Sequence, residues 1–214
     1  MSEFVHLQVK SHYSLRSGLP TPKDIVDAAH KKGLKAVAMT DKNSFFGIIK
    51  FYNYAISKGV KPICGVDFDI ESNLKGLTKG LLLAKNKKGL EKLFSLSTKS
   101  YLQANKGIKI NESEILALRD DIIFILPSDN FSVYKSTDIQ EGKDVIATID
   151  ALKNTFSSNL YLGVTNYSDD AYDENSSNLI KFCSEKNIHA VALNDVHFIK
   201  QSDYLNHQAK VAIN

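Results

Sequence analysis

The chain has 214 residues, a formal net charge of +3, and 43% hydrophobic against 24% charged residues, which is the make-up of a folded globular protein and excludes a disordered one. No apolar run approaches the roughly 18 residues that a membrane helix needs, and the first twenty residues, with His6, Lys10, His12 and Arg16 among them, lack the apolar stretch of a signal peptide. Cys64 and Cys183 are too few and too far apart for a disulfide framework or a zinc ribbon. They predict buried, reduced thiols and a cytoplasmic location without a membrane partner. The small positive charge permits contact with nucleic acid but does not demand it.

In chain order, the first clear unit is Thr21-Pro22-Lys23-Asp24 followed by Ile25, Val26, Ala28, Ala29 and Gly33. Thr21 is suited to cap a helix, Pro22 to start it, Asp24 to complete a capping box and Gly33 to end it. The run Lys35–Thr40 reads as a buried strand leading into Asp41. A helix over Phe45–Ser57 then leads to a strand through Lys61–Ile70. Further apolar runs stand at Leu81–Ala84, Ile122–Leu126, Leu160–Val164 and Ala190–Leu193. Helical stretches lie near Gly89–Gln103, Asp144–Thr155 and Asn175–Lys186, and His207 falls on a terminal helix. Such alternation predicts an α/β protein with a parallel sheet wrapped by helices. Nearly uniform apolarity predicts strands covered on both sides, which favours a barrel over an open sheet. No Pro/Gly/Ser-rich linker divides the sequence, so residues 1–214 read as one domain.

Polar residues suited to chemistry gather just after the strands: Asp41, Asp67, Asp129, Asp195 and His197. Loops after the strands of a parallel barrel build its site. Asp195-Val196-His197 is the sharpest local signal, because carboxylate and imidazole two residues apart at a strand end suit Zn²⁺, Mn²⁺ or Fe²⁺. A plain turn with a helix-capping carboxylate is the competing reading. Walker, Rossmann and Gly-x-Ser-x-Gly motifs are absent, so ATP hydrolysis, dinucleotide chemistry and acyl transfer have no support.

An ordered set of segments carries a resemblance. It comprises Phe4–Gly18, Ala38-Met39-Thr40-Asp41 with Phe46-Gly47, Lys61–Asp67, Leu83–Asn86 with Gly89, and Val191–Phe198. Together they resemble the N-terminal region of the bacterial DNA polymerase III alpha-subunit family, the polymerase and histidinol phosphatase (PHP) domain. The resemblance implies a distorted (β/α)7-type barrel which, in active members, holds up to three metal ions for phosphoester hydrolysis. It also implies that the family continues beyond Asn214, leaving the domain incomplete at its C-terminus.

Carried over position by position, the implied ligand set is eroded. Gln8 and Lys10 stand where the family has the two histidines of its opening motif. Ser17 replaces the acidic ligand that follows, Lys42 the histidine after Asp41, and Lys79 the next expected histidine. Asp67, Asp195 and His197 remain as residual metal positions, with Asp41 and Asp129 as further candidates. Lysine offers no lone pair and brings positive charge to a cation's place. Lys10 and Lys42 are therefore expected to form ion pairs with Asp41, Asp67 or Asp195; binding a phosphate, or one residual metal site, are the alternatives.

The resemblance implies a parent chain that is a DNA-directed DNA polymerase, a nucleotidyltransferase of DNA replication. Within it, this domain is expected to act as a largely non-catalytic structural module that docks the proofreading exonuclease subunit. Its partners would be the rest of the alpha chain, that exonuclease, and DNA through the polymerase. The alternative is a metal-dependent phosphoesterase or 3′–5′ exonuclease with a reduced cluster. No cofactor is expected, with residual Mn, Zn or Mg the exception.

Overall fold

A computed structural model describes residues 4–103, 107–128, 139–165 and 170–213. The chain divides into two compact units, one formed by Met1–Asp67 with Asn194–Asn214 and the other by Phe68–Leu193.

In the first unit, helix α1 (Pro22–Lys31) starts as its sequence requires. The Thr21 side chain accepts from the Asp24 N–H, Asp24 reaches back to the Thr21 N–H, and Pro22 opens the first turn. Ile25, Val26 and Ala29 form its buried side. Strand β1 (Ala36–Lys42) is buried at every position but the last. Helix α2 (Ile48–Ser57) packs against α1 and returns the chain to β2 (Lys61–Glu71), which pairs with β1 in parallel from Ala36↔Lys61 to Lys42↔Asp67. The opening segment contributes an isolated parallel bridge, between Val9 and Val196. His6 and Val9 carbonyls accept from the N–H groups of Ala38 and Thr40 at 2.9 Å each, and Val196 exchanges bonds with Gln8 and Lys10. Residues 6–10 thus lie between β1 and the 196 segment, and helix α7 (Tyr204–Ala212) closes the unit's sequence.

In the second unit, β3 (Lys79–Ala84), β5 (Ile122–Pro127), β6 (Leu160–Thr165) and β7 (His189–Leu193) follow one another in the sheet after the end of β2, and the short β4 (Ile110–Asn111) pairs with Ile70–Glu71. Helices α3 (Lys87–Leu102), α4 (Glu112–Leu116), α5 (Ile139–Phe156) and α6 (Asp170–Lys186) connect them. The expected all-parallel sheet needs one correction: β3 and β5 are antiparallel, while β5, β6 and β7 are parallel. Only residues 72–78 join β2 to β3, too few for the crossover that parallel neighbours need. The chain therefore turns back, with Ile70 N–H donating to the Thr78 carbonyl at 2.8 Å. A second difference lies in β7, where Ala190 and Ala192 are exposed although a strand covered on both sides was expected. β7 ends the strand order, and the alanines present little apolar surface there.

Candidate functional site

Everything suited to chemistry in the first unit converges where the opening segment, the ends of β1 and β2, and residues 195–197 meet. Lys10 is 3% exposed. Its ammonium donates to the Asp67 carboxylate and to the Thr40 carbonyl at 3.1 Å, and stands 3.9 Å from Asp195 Oδ1. Two acceptors thus take ammonium hydrogens, and Asp195 adds a charge at ion-pair distance. Gln8, also 3% exposed, donates from Nε2 to the same Asp67 oxygen at 3.3 Å. A buried ammonium is tolerated only with such pairing, because desolvation otherwise dominates.

Asp41 is 1% exposed and is satisfied by neutral donors. Its Oδ1 accepts from the Ser11 N–H and the Ser14 hydroxyl, both at 2.6 Å, and Oδ2 accepts from the Ser11 hydroxyl at 2.7 Å. The Lys42 N–H donates to Ser14 Oγ at 3.0 Å, which ties the end of β1 to the same loop. Gly18 is required beside it: a Cβ there would run into the Ser11 carbonyl.

On the far side of Lys10, His197 Nε2 stands 3.1 Å from Asp195 Oδ2. The His197 and His207 rings lie 5.1 Å apart, and Phe198 packs 5.4 Å from His207. His197 Nδ1, His207 Nε2 and the Ser17 hydroxyl are buried without a hydrogen-bond partner. Burial, and next the neighbouring His197, hold the His207 imidazole below its ordinary pKa.

Of the residues singled out in the sequence, Asp67 and Asp195 are brought to Lys10, and His197 follows through Asp195. Lys42 ends β1 with an exposed side chain. Lys79 begins β3 in the other unit, and Asp129 lies outside the described residues. Sequence reasoning missed Ser11, Ser14 and Thr40, which carried no signal beyond a serine pair three residues apart. His207 was seen only as a helix residue. Among the described residues, no group of three or more His, Cys, Asp or Glu side chains is placed to hold a metal ion.

Against known proteins, the sequence model of the PHP domain matches residues 6–166. The chain belongs to the PHP domain family. This PHP domain is 31% identical over 223 residues to the DNA polymerase III subunit alpha of Buchnera aphidicola and 30% identical over 219 residues to that of Escherichia coli. Both alignments take in 100% of the chain but 19% of the relative, so the domain spans about a fifth of those proteins. A solved structure of a protein assigned as a metal-dependent phosphoesterase, from Bifidobacterium adolescentis, matches with a TM-score of 0.63 at 11% identity, covering 98% of this chain and 97% of that one. An amidohydrolase from Chromobacterium violaceum solved with bound sulfate matches at 0.56, also 11% identical, with 96% of each chain covered. These likenesses establish the fold: mixed α/β, of the PHP barrel type.

Proposed function

We propose that this PHP domain acts in DNA replication as a largely non-catalytic structural module of a DNA polymerase III alpha chain, and docks the proofreading exonuclease subunit. The observation that carries the non-catalytic reading is the Lys10 ammonium, bonded to Asp67 and 3.9 Å from Asp195, where the family resemblance expects metal ligands. A phosphoesterase cluster works by lowering the pKa of a bound water and bracketing the attacked phosphorus. It needs free, deprotonated ligands. Here Asp67 is bonded to Lys10 and Gln8, and Asp41 to two serines. The donor set does not fit a multi-metal cluster. What these residues do instead is cross-link the opening segment to the ends of β1 and β2 by ion pairs and hydrogen bonds.

A second reading keeps one specific observation in its favour. His197 Nδ1 and His207 Nε2 are buried without partners close to Asp195, which suits a single residual metal and a phosphoesterase or exonuclease of reduced cluster. One experiment separates the two. Metal content is measured by mass spectrometry after incubation with Mn²⁺ and Zn²⁺, and hydrolysis of a single-stranded DNA 3′ end is followed in the same samples. Absence of both metal and turnover supports the structural module. Near-stoichiometric metal with turnover lost in His197→Ala overturns it. The docking half is tested by co-elution of the purified chain with the purified exonuclease, and separate elution at micromolar concentrations would remove it.

A further inference from the structure

Helix α2 carries a second apolar side that the first unit does not use. Ile48, Phe51 and Ala55 are its buried residues. Ile49, Tyr52 and Ile56, spaced i, i+3 and i+7, share a different side of the helix and are 62%, 46% and 56% exposed. Phe46, just ahead of the helix, is 61% exposed. Isolated exposed apolar residues are ordinary, but a contiguous stripe marks a surface made to be covered.

The charge carried by α2 and its flanking residues has one sign, with Asp27 of α1 the acidic side chain bonded to it, accepting from the Tyr54 hydroxyl at 2.8 Å. Residues 42–66 contain Lys42, Lys50, Lys58 and Lys61 and no acidic residue, and all four lysines are exposed. Two of these ammonium groups, and Lys23 of α1, are held by tyrosines. Lys50 lies 5.7 Å from the Tyr13 centroid and donates to its hydroxyl at 3.0 Å, while Lys58 and Lys23 lie 5.4 and 5.6 Å from that of Tyr54. Such contacts order a long cationic side chain before any partner arrives.

These features select the occupant. A second copy of this chain, packed α2 on α2, would set lysines against lysines, which costs affinity. Single-stranded nucleic acid stacks its bases on open aromatic faces, yet Tyr54 already carries lysines, Tyr13 lies 4.2 Å from the His12 ring, and the exposed rings of the stripe, Phe46 and Tyr52, have Ile49 between them. An amphipathic helix with an apolar side and acidic margins matches both the stripe and its border. We propose that the Ile49, Tyr52 and Ile56 side of α2 docks an acidic amphipathic helical segment of a partner protein. This surface shares no residue with the Lys10 cluster, so the inference stands apart from the reading of that site.

The test uses the whole 214-residue chain and a fluorescent synthetic peptide with leucines at helical spacing and glutamates elsewhere, read by anisotropy. Controls are a scrambled peptide of the same composition and a version with lysine for glutamate. The expected result is saturable binding of the acidic helix alone, weakening with salt. Ile49→Glu with Ile56→Glu should weaken it at least about tenfold, and Lys50→Glu with Lys58→Glu should weaken it too. Circular dichroism serves to show that these surface variants stay folded. Equal binding of the scrambled peptide, or affinity unchanged in the Ile49→Glu and Ile56→Glu variant, overturns the proposal. So does sedimentation showing a dimer that this variant dissolves, which would make a second copy the occupant. Co-sedimentation with phosphatidylserine vesicles lost in the same variant would assign the surface to a membrane instead.

Discussion

Lys10 holds together carboxylates that water would otherwise have to solvate. Its replacement by methionine keeps the stem and removes the charge, leaving Asp67 buried with only Gln8 as a side-chain donor. Stripping one partner from a buried ion pair costs about 3 kcal/mol or more, so Lys10→Met should lower the urea midpoint by a corresponding amount. Adding Asp67→Leu to Lys10→Met should restore much of the loss, because an apolar pair replaces the ionic one; the double-mutant cycle gives the coupling. Asp41 makes the same argument with neutral partners. Asp41→Ala strands the Ser11 N–H and two hydroxyls, and a cost of about 2 kcal/mol is expected from buried donors left unsatisfied, read from equilibrium unfolding.

Local chemistry at the ends of elements decides where they start. Thr21→Ala removes the hydroxyl that caps the Asp24 N–H while leaving the backbone N–H of residue 21 on the Asp24 carboxylate, and should cost about 1 kcal/mol by thermal unfolding. At the start of α3, Asn86 caps the Gly89 N–H at 2.8 Å, and Asp121 accepts from Lys92 at 2.6 Å and Asn86 at 3.4 Å. The hydrogen bond from Lys92, and then the bond from Asn86 and the nearby Lys88, hold the Asp121 carboxyl below its ordinary value of 3.8. A depressed folded pKa means that the unfolded chain binds the proton first. The stabilisation is therefore full above the ordinary value and is lost as pH falls through the lower folded one. Asp121→Asn should flatten that acid limb in a pH series of unfolding curves, with little change near neutrality beyond a constant offset. Gly89 belongs to the same corner, since a Cβ there would strike the Asp121 carbonyl.

For the molecule as a whole, the two thiols report folding from within each unit. Cys64 and Cys183 are both buried, and burial pushes each to about 11. Since the thiolate is the reactive form, iodoacetamide near pH 8 should modify neither in the folded chain at an appreciable rate, and both once urea unfolds it; rapid native labelling of either would contradict the burial. The sequence by itself determined the longer elements and their kind, though not the short β4 and α4. Thr21, Pro22 and Asp24 mark a helix start whatever surrounds them, and uniformly apolar runs such as Leu81–Ala84 mark buried strands, because capping and periodicity are local. Residue types also sufficed for family membership and for suspecting that Lys10 pairs with a carboxylate. Direction and company were left to the tertiary structure. The antiparallel β3 followed from a connection too short to cross over, and β7 was left with exposed alanines at the end of the strand order. Ser11 and Ser14 on Asp41, and His207 beside His197, are likewise pairs that no periodicity encodes. Lys10 and Lys42 looked equivalent in the sequence, yet one is buried on Asp67 and the other ends its strand exposed. Hydrogen bonds and ion pairs act over a few ångströms in space, and which distant residues come within that range is fixed only when the strands pair.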